Sequence, residues 1–598
     1  MSRLRRLSPW LLFILLGAAH SLSFAAQPLP TFVLPYVQLL SLTILLYLLN
    51  QRPQARARIA PAFFFGLGNF GLGLYWIYIS LHVYGELPAA LAVIAVLLFA
   101  ALLSLFYVLI AVVHAWLSPK QPIKRSGQAF INALLWASLW ALAEWLRGTL
   151  FTGFPWLNIG YAHIDGTLAG WAIVLGTYGV SWMAAFTAAA LACFFQLHRQ
   201  PSATEQRAAQ RHSALAATQA TTQTTAQATQ QTQNIKPDRP SHQAEPDQQS
   251  TQTISSWQSS AILIAAFFLN LGGLILHGHS WSQPTAEPFF VRLTQGNVPQ
   301  SMKFDPQRFE QGVQTYYELA ALGAKDPDAR PEIIILPETV IPVFQNRLPA
   351  QFWQQWIDLA AQQNSTLIMG VPLYEGPVAP GSDQTAKPAQ YTNSAIAIDG
   401  RTTTLEILRL SLKQRYDKQH LVPFGEFIPT GFRWFIDLLN IPLGDFQRGG
   451  SAQAPFSISG QHIAPDICYE DVFGEEIIRS VRPQDGHPGA TMLVNISNLG
   501  WFGDTWALRQ HLQISRMRAL ETARPMIRAT NTGITAVIDP NGLVRAMLPQ
   551  HTVGVLDVEV QGYQGQTPYV RWGNHSILIS SLVLIAIAAV LGRRRHTS

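Results

Sequence analysis

The stretch Ile463-Ala464-Pro465-Asp466-Ile467-Cys468-Tyr469-Glu470-Asp471 carries an apolar, strand-like run into a cysteine set among acids. A lone cysteine after such a run ordinarily packs as a small buried hydrophobe. Asp466, Glu470 and Asp471 argue against simple core packing here. Acting alone they would raise the thiol pKa, so a nucleophile at Cys468 requires a cation and a base nearby. The chain has two cysteines, Cys193 and Cys468, and no disulfide framework is expected from them.

Two other stretches offer the missing partners. Ile333-Ile334-Ile335-Leu336-Pro337-Glu338 ends an apolar strand in a carboxylate. Poor solvation at a buried strand end raises a carboxyl pKa and suits it to proton transfer. The loop Tyr416-Asp417-Lys418-Gln419-His420-Leu421-Val422-Pro423-Phe424-Gly425-Glu426 holds a lysine among Pro, Gly and aromatic residues. A cation fixed there can stabilise an oxyanion and favour a nearby thiolate. Read singly, Glu338 is better explained as a surface or helix-capping carboxylate, and Lys418 as a solvated loop lysine.

Around these stretches, residues 287–561 alternate short β-rich runs with helical ones. Strands are expected near 289–294, 332–336, 366–371, 394–398, 463–467, 491–496 and 534–538, and a helix at 511–523. This alternation indicates one α/β domain.

The rest of the chain is a different material. Of 598 residues, 48% are hydrophobic and 13% charged, about half the charge of a soluble domain. Apolar runs able to cross a hydrocarbon core of ~30 Å lie near 9–26, 31–49, 60–80, 88–116, 129–146, 167–196, 259–277 and 576–592, about eight in all. The first also fits a cleavable signal peptide, since Arg3, Arg5 and Arg6 precede a short apolar core. Lys and Arg gather at alternate connections: Arg52, Arg56 and Arg58; Lys120, Lys124 and Arg125; Arg593, Arg594 and Arg595. That bias places those connections inside and the α/β block outside. Because the net charge of +6 is distributed this way, nucleic-acid binding is excluded as its purpose. Residues 200–256, rich in Gln, Thr, Ala and Ser, read as a disordered inner-side linker. Residues 432–446 are too short to span and read either as an interfacial arm or as a core helix. The expected organisation is 1–199 membrane helices, 200–256 linker, 257–286 membrane helix, 287–561 catalytic domain and 562–598 a last helix with a basic tail.

Taken together, Glu338, Lys418 and Cys468 resemble the Glu–Lys–Cys triad of the nitrilase, or carbon–nitrogen hydrolase, superfamily, in the same chain order. The resemblance implies an α-β-β-α sandwich. The stretches Gln295 to Gln300, His420 to Glu426, Cys468 to Glu470, Trp501 to Asp504, Arg516 to Glu521, Arg528 to Gly533 and the loop Gly153 to Asn158 resemble its membrane branch, the apolipoprotein N-acyltransferases. Two local departures are Phe304, where Trp is familiar, and Leu499-Gly500, where Asp-Ala is. The resemblance implies that Glu426 and Glu470 support the triad. Asn393 either orients a carboxylate or substrate or caps a strand, and the Tyr469 backbone N–H faces an oxyanion. It further implies a phospholipid acyl donor, a diacylglyceryl-cysteine lipoprotein as amine acceptor, and a bacterial inner membrane with the catalytic domain periplasmic. The thioester chemistry needs no cofactor, and no metal-ligand spacing or phosphate-binding loop is apparent. Oligomeric state is left open and is compatible with a monomer. Two other readings are a membrane-tethered amidase that passes its acyl group to water, and a transporter or scaffold. The second lacks charged residues at span centres.

Overall fold

The run ending at Cys468 becomes an interior strand of a six-stranded sheet. In the computed structural model the described residues are 9–118, 123, 125–198, 256–303, 305–324, 329–376, 389–429, 431, 433, 446–484 and 486–594. The linker at 200–256 (except Ser256), the 432–446 arm (except Arg433 and Phe446), Phe304, Lys120, Lys124, Arg595 and the three N-terminal arginines lie outside them.

Among the described residues, seven long apolar helices come first: α1 (Pro9–Ser21), α2 (Leu34–Asn50), α3 (Arg56–Gly73), α4 (Ala89–Leu117), α5 (Ser126–Thr149), α6 (Trp171–Leu197) and α7 (Ser256–Gly278). Among the described residues, five helical segments are long and apolar enough to cross a membrane. A sixth crossing results if α3 and Ile77–Tyr84, bent by 61° at their junction, form one broken span. The sequence suggested about eight. The other two expected runs, near 9–26 and 576–592, hold the shorter apolar helices Pro9–Ser21 and His575–Leu591, as far as they fall within the described residues.

The α/β block forms two six-stranded sheets. The first has the order β12-β1-β2-β3-β4-β5 and the second β11-β10-β9-β8-β7-β6. The first contains β1 (Gln283–Gln295), β2 (Ile333–Ile335), β3 (Thr366–Glu375), β4 (Gln390–Ile398), β5 (Arg415–Asp417) and β12 (Gly554–Gln564). The second contains β6 (Phe456–Ile458), β7 (Gln461–Ile467), β8 (Met492–Ser497), β9 (Met526–Thr530), β10 (Ala536–Ile538) and β11 (Val544–Met547). Strands β1, β2 and β3 run parallel, as do β7, β8 and β9. Side chains alternate between faces along each strand, so every strand feeds two cores. Val291, Ile333, Ile335 and Ile368 meet Ile467, Val494, Ile496 and Ile527 between the sheets. Ile334, Leu367 and Met369 face Trp353 and Trp356 of α9 (Ala350–Gln363), beside Tyr316 of α8 (Phe309–Ala321). Ala464 and Leu493 face Ile477 and Ile478 of α10 (Gly474–Val481) and Ala519 of α11 (Trp506–Thr522). The result is the α-β-β-α sandwich.

Helix α11 has two jobs. Ala519 packs on the sheet, whereas Ala507, Ile514, Met517 and Leu520 join the core of the membrane helices. A helix buried on both sides has no polar stripe to reveal it. Its charged residues pair both across the junction and within the helix instead. Arg516 binds Asp165 at 2.5 and 2.9 Å, and Arg518 binds Glu521 at 3.0 Å. One Glu521 oxygen accepts both the N–H and the hydroxyl of Thr177, each at 2.6 Å. Thr177 follows Gly176, where α6 breaks at φ 68°, ψ −175° against the ring of Tyr569 in α12 (Pro568–Trp572). The last helix, α13 (His575–Arg594), returns to pack on α5.

Candidate active site

Glu338, Cys468 and two asparagines the sequence reading passed over, Asn498 and Asn531, follow the carboxyl ends of β2, β7, β8 and β9. All four strands belong to the parallel runs, and open α/β sheets gather their sites at such ends. Lys418 follows β5 in the same way.

Cys468 takes φ 55°, a left-handed conformation disfavoured for a residue with a Cβ. It is half-buried, while Cys193 is a second free thiol buried in the helix bundle. The turn is held by Glu470, which is fully buried. Its Oε2 accepts the Ile467 N–H at 2.7 Å. Its Oε1 accepts the N–H groups of Gln419 at 2.7 Å and His420 at 3.1 Å, and the Tyr416 hydroxyl at 3.0 Å. Glu470 thus ties the nucleophile turn to the Lys418 loop through backbone. Burial pushes its carboxyl up to about 7, while Lys418 and the three N–H groups pull the other way.

Glu338 is 6% exposed, and both its oxygens are engaged. Oε1 accepts from Asn393 Nδ2 at 2.8 Å and lies 3.4 Å from Lys418 Nζ. Oε2 accepts the Asn498 N–H at 2.9 Å, and that same N–H faces the Cys468 sulfur. Base and thiol therefore flank one backbone donor. Behind them, Lys303 Nζ donates to the Glu338 carbonyl at 2.9 Å, and Thr339 takes φ 53°. Gly370 leaves room for this turn, since a Cβ there would lie 2.6 Å from the Glu338 Cα.

Asn393, in the body of β4 rather than at its start, bridges the carboxylates, giving Nδ2 to Glu338 at 2.8 Å and to Glu426 at 2.7 Å. Its carbonyl accepts the Lys418 N–H at 2.8 Å. Glu426 binds Lys418 Nζ at 2.8 Å and takes the Val422 N–H at 2.8 Å. Burial opposes the charge on Lys418, but Glu426, Glu338 and Cys468 outweigh it and hold the ammonium above its ordinary range. Burial and Glu338 raise the Cys468 thiol well above its usual value, and Lys418 only partly offsets them. The sulfur rests protonated and reacts only as a base removes its proton.

Tyr469 points away from the triad. Its hydroxyl donates to the Gly153 carbonyl at 3.1 Å, and its ring stacks on Phe154. The loop 153–158 quoted from the sequence therefore sits beside the nucleophile turn. It is stapled by Arg147, which donates to the carbonyls of Phe154 and Trp156 and to Asn158 Oδ1. Gln300 and Asn531 both bond Asn498, bringing the stretches 295–300 and 528–533 to the site. Leu499 is buried against Gly533. Among the described residues no three His, Cys, Asp or Glu side chains are grouped to hold a metal ion.

Residues 16–190 match the family model described as the apolipoprotein N-acyltransferase N-terminal domain, and residues 291–569 match that described as carbon-nitrogen hydrolase. An apolipoprotein N-acyltransferase of Bordetella bronchiseptica is 45% identical over 583 residues, covering 97% of this chain and 96% of its own. One from Ralstonia nicotianae is 40% identical over 595 residues, covering 100% of this chain and 95% of its own.

Proposed function

The chain belongs to the apolipoprotein N-acyltransferase family, and we propose that Cys468, Glu338 and Lys418 carry its acyl transfer through a thioester. The protein is a multi-pass membrane acyltransferase of lipoprotein biosynthesis, with a lipoprotein as acceptor. One observation supports the triad above others: the Asn498 N–H that binds Glu338 Oε2 also faces the Cys468 sulfur.

In the first step Glu338 takes the thiol proton as sulfur attacks an ester carbonyl of a phospholipid. Lys418, clamped by Glu426, faces the developing oxyanion, and the Tyr469 backbone N–H is a second donor for it. The C–O bond breaks, Glu338 returns the proton to the leaving oxygen, and a lysophospholipid departs. In the second step the α-amine of a diacylglyceryl-cysteine lipoprotein attacks the thioester. The C–S bond breaks, the amide forms, and the amine proton passes by Glu338 to the sulfur. Two half-reactions on one sulfur give ping-pong kinetics. Glu470 and Asn393 act by positioning. The catalytic unit, residues 287–561, lies on the periplasmic side of the inner membrane. The alternation of basic and uncharged connections supports that orientation.

Mass spectrometry after incubation with phospholipid tests the reading. An acyl adduct on Cys468 is expected, discharged by an acceptor lipopeptide that gains the acyl mass. An adduct that persists in Cys468→Ala rejects the nucleophile, and release of free fatty acid in place of acylated peptide indicates a hydrolase.

A further inference from the structure

The geometry points to His511 as a positioning residue through which the membrane helices set the direction of the Cys468–Tyr469 peptide, and with it the backbone donor facing the oxyanion. The inference rests on Cys468 being the nucleophile.

His511 is 1% exposed, in the first half of α11. Its Nδ1 lies 3.1 Å from an Arg528 nitrogen, and a guanidinium only donates. Nδ1 is therefore the acceptor, and Nε2 carries the ring proton. Nε2 lies 3.1 Å from the Cys468 carbonyl oxygen and donates to it. Burial and Arg528 hold the imidazole well below its ordinary pKa, in keeping with a neutral ring. Asp471, 3.6 Å from both Nε2 and Arg528, and Arg528 itself are the charged groups facing it, and Lys418 acts from further off.

The carbonyl that His511 holds belongs to a strained residue, Cys468 at φ 55°. Asn495 Nδ2 reaches the same oxygen at 3.4 Å. A trans peptide is planar, with C=O and N–H pointing in opposite directions. Fixing the Cys468 carbonyl therefore fixes the Tyr469 N–H. A donor aimed in advance stabilises an oxyanion without reorganising at the moment of reaction.

The other face of His511 belongs to the membrane helices. Trp156 stacks on the imidazole with centroids 5.8 Å apart and planes 23° from parallel. Its indole N–H donates to Gln510 Oε1 at 2.8 Å, and Trp76 donates to the same oxygen at 3.1 Å. Gln510 Nε2 returns a bond to the Gly73 carbonyl at 3.1 Å. Two adjacent residues thus face opposite ways: Gln510 grips the membrane helices, and His511 grips the nucleophile turn.

The test uses the full chain in lipid nanodiscs and two reactions of Cys468. Acylation by a labelled phospholipid develops an oxyanion, whereas alkylation by iodoacetamide does not. His511→Leu is expected to lower the maximal acylation rate roughly 10- to 100-fold. The half-saturating phospholipid concentration and the alkylation rate should stay near wild type. His511→Gln, whose amide can donate to the carbonyl, should restore most of the rate. Trp156→Leu, which leaves the carbonyl bond in place, should show the same selective loss in weaker form. Wild-type acylation by His511→Leu or by Trp156→Leu overturns the inference. So does a His511→Gln variant as slow as His511→Leu, or an alkylation rate that collapses with acylation. A wild-type protein that alkylates but never acylates Cys468 overturns the proposed function, and this inference with it.

Discussion

Lys418 Nζ stands 2.8 Å from Glu426 and 3.4 Å from Glu338, so the cation is held more closely by the supporting carboxylate than by the base. The division matters because a base locked into a tight ion pair loses affinity for protons. Glu426→Gln removes the competing charge and draws the ammonium toward Glu338. Single-turnover acylation of Cys468 is expected to fall by about 10-fold or more, given that positioned proton transfer contributes 10²–10⁴-fold. A wild-type rate would show that Glu426 does not hold the cation in its working place.

Asn393 is the neutral spacer between two carboxylates. Asn393→Ala leaves Glu338 and Glu426 buried without their shared donor, at about 1–3 kcal/mol of stability. Asn393→Asp should be worse, since it puts a third carboxylate where an N–H group stood. Thermal unfolding of the purified variants ranks them. An aspartate variant as stable as the alanine one would contradict the bridge.

Lys303 gives a pH signature. Burial lowers its ammonium to about 7, opposed by Glu338. An unfolded lysine titrates near ~10.4. Between those values the unfolded chain binds the extra proton, so this group makes stability rise with pH from about 7 to about 10. The advantage of the wild type over Lys303→Met in melting temperature should therefore be larger at the alkaline end of that window. An advantage that shrinks toward high pH would show that Lys303 is charged in the fold.

Gly176 tests the junction. Its φ and ψ suit glycine alone, and a Cβ there would lie 2.3 Å from the Tyr569 ring. Gly176→Ala should cost at least about 1–3 kcal/mol from backbone strain, before the collision is counted. Melting curves in detergent measure it, and an unchanged midpoint would mean that α6 is unbroken in solution.

The strand-end residues were legible because a single strong pattern, an apolar run closed by a polar group, brings Glu338 and Cys468 to one rim. Asn498 and Asn531 obey the same rule but follow strands whose ends no acid or thiol marks, so the sequence does not single them out. The sequence alone does not choose a role for Asn393, because its partner carboxylates lie 55 residues before it and 33 after. Strand β12 was not foreseen, since its partner β1 lies at the opposite end of the α/β block. Helix α11 was legible but its role was not, because nothing local to Gln510 and Glu521 shows that Trp76, Trp156 and Thr177 bond them. The 61° bend after α3 has a similar origin, because Trp76 is drawn to a residue 434 positions away.

Glu521 and Thr177 stand 344 residues apart in the chain, yet one completes the other's hydrogen bonding. A ribosome emits α6 long before it emits α11. The nascent span consequently carries an unfinished break until its partner is made. The break is closed only when α11 arrives, so a product truncated before Glu521 keeps that gap open.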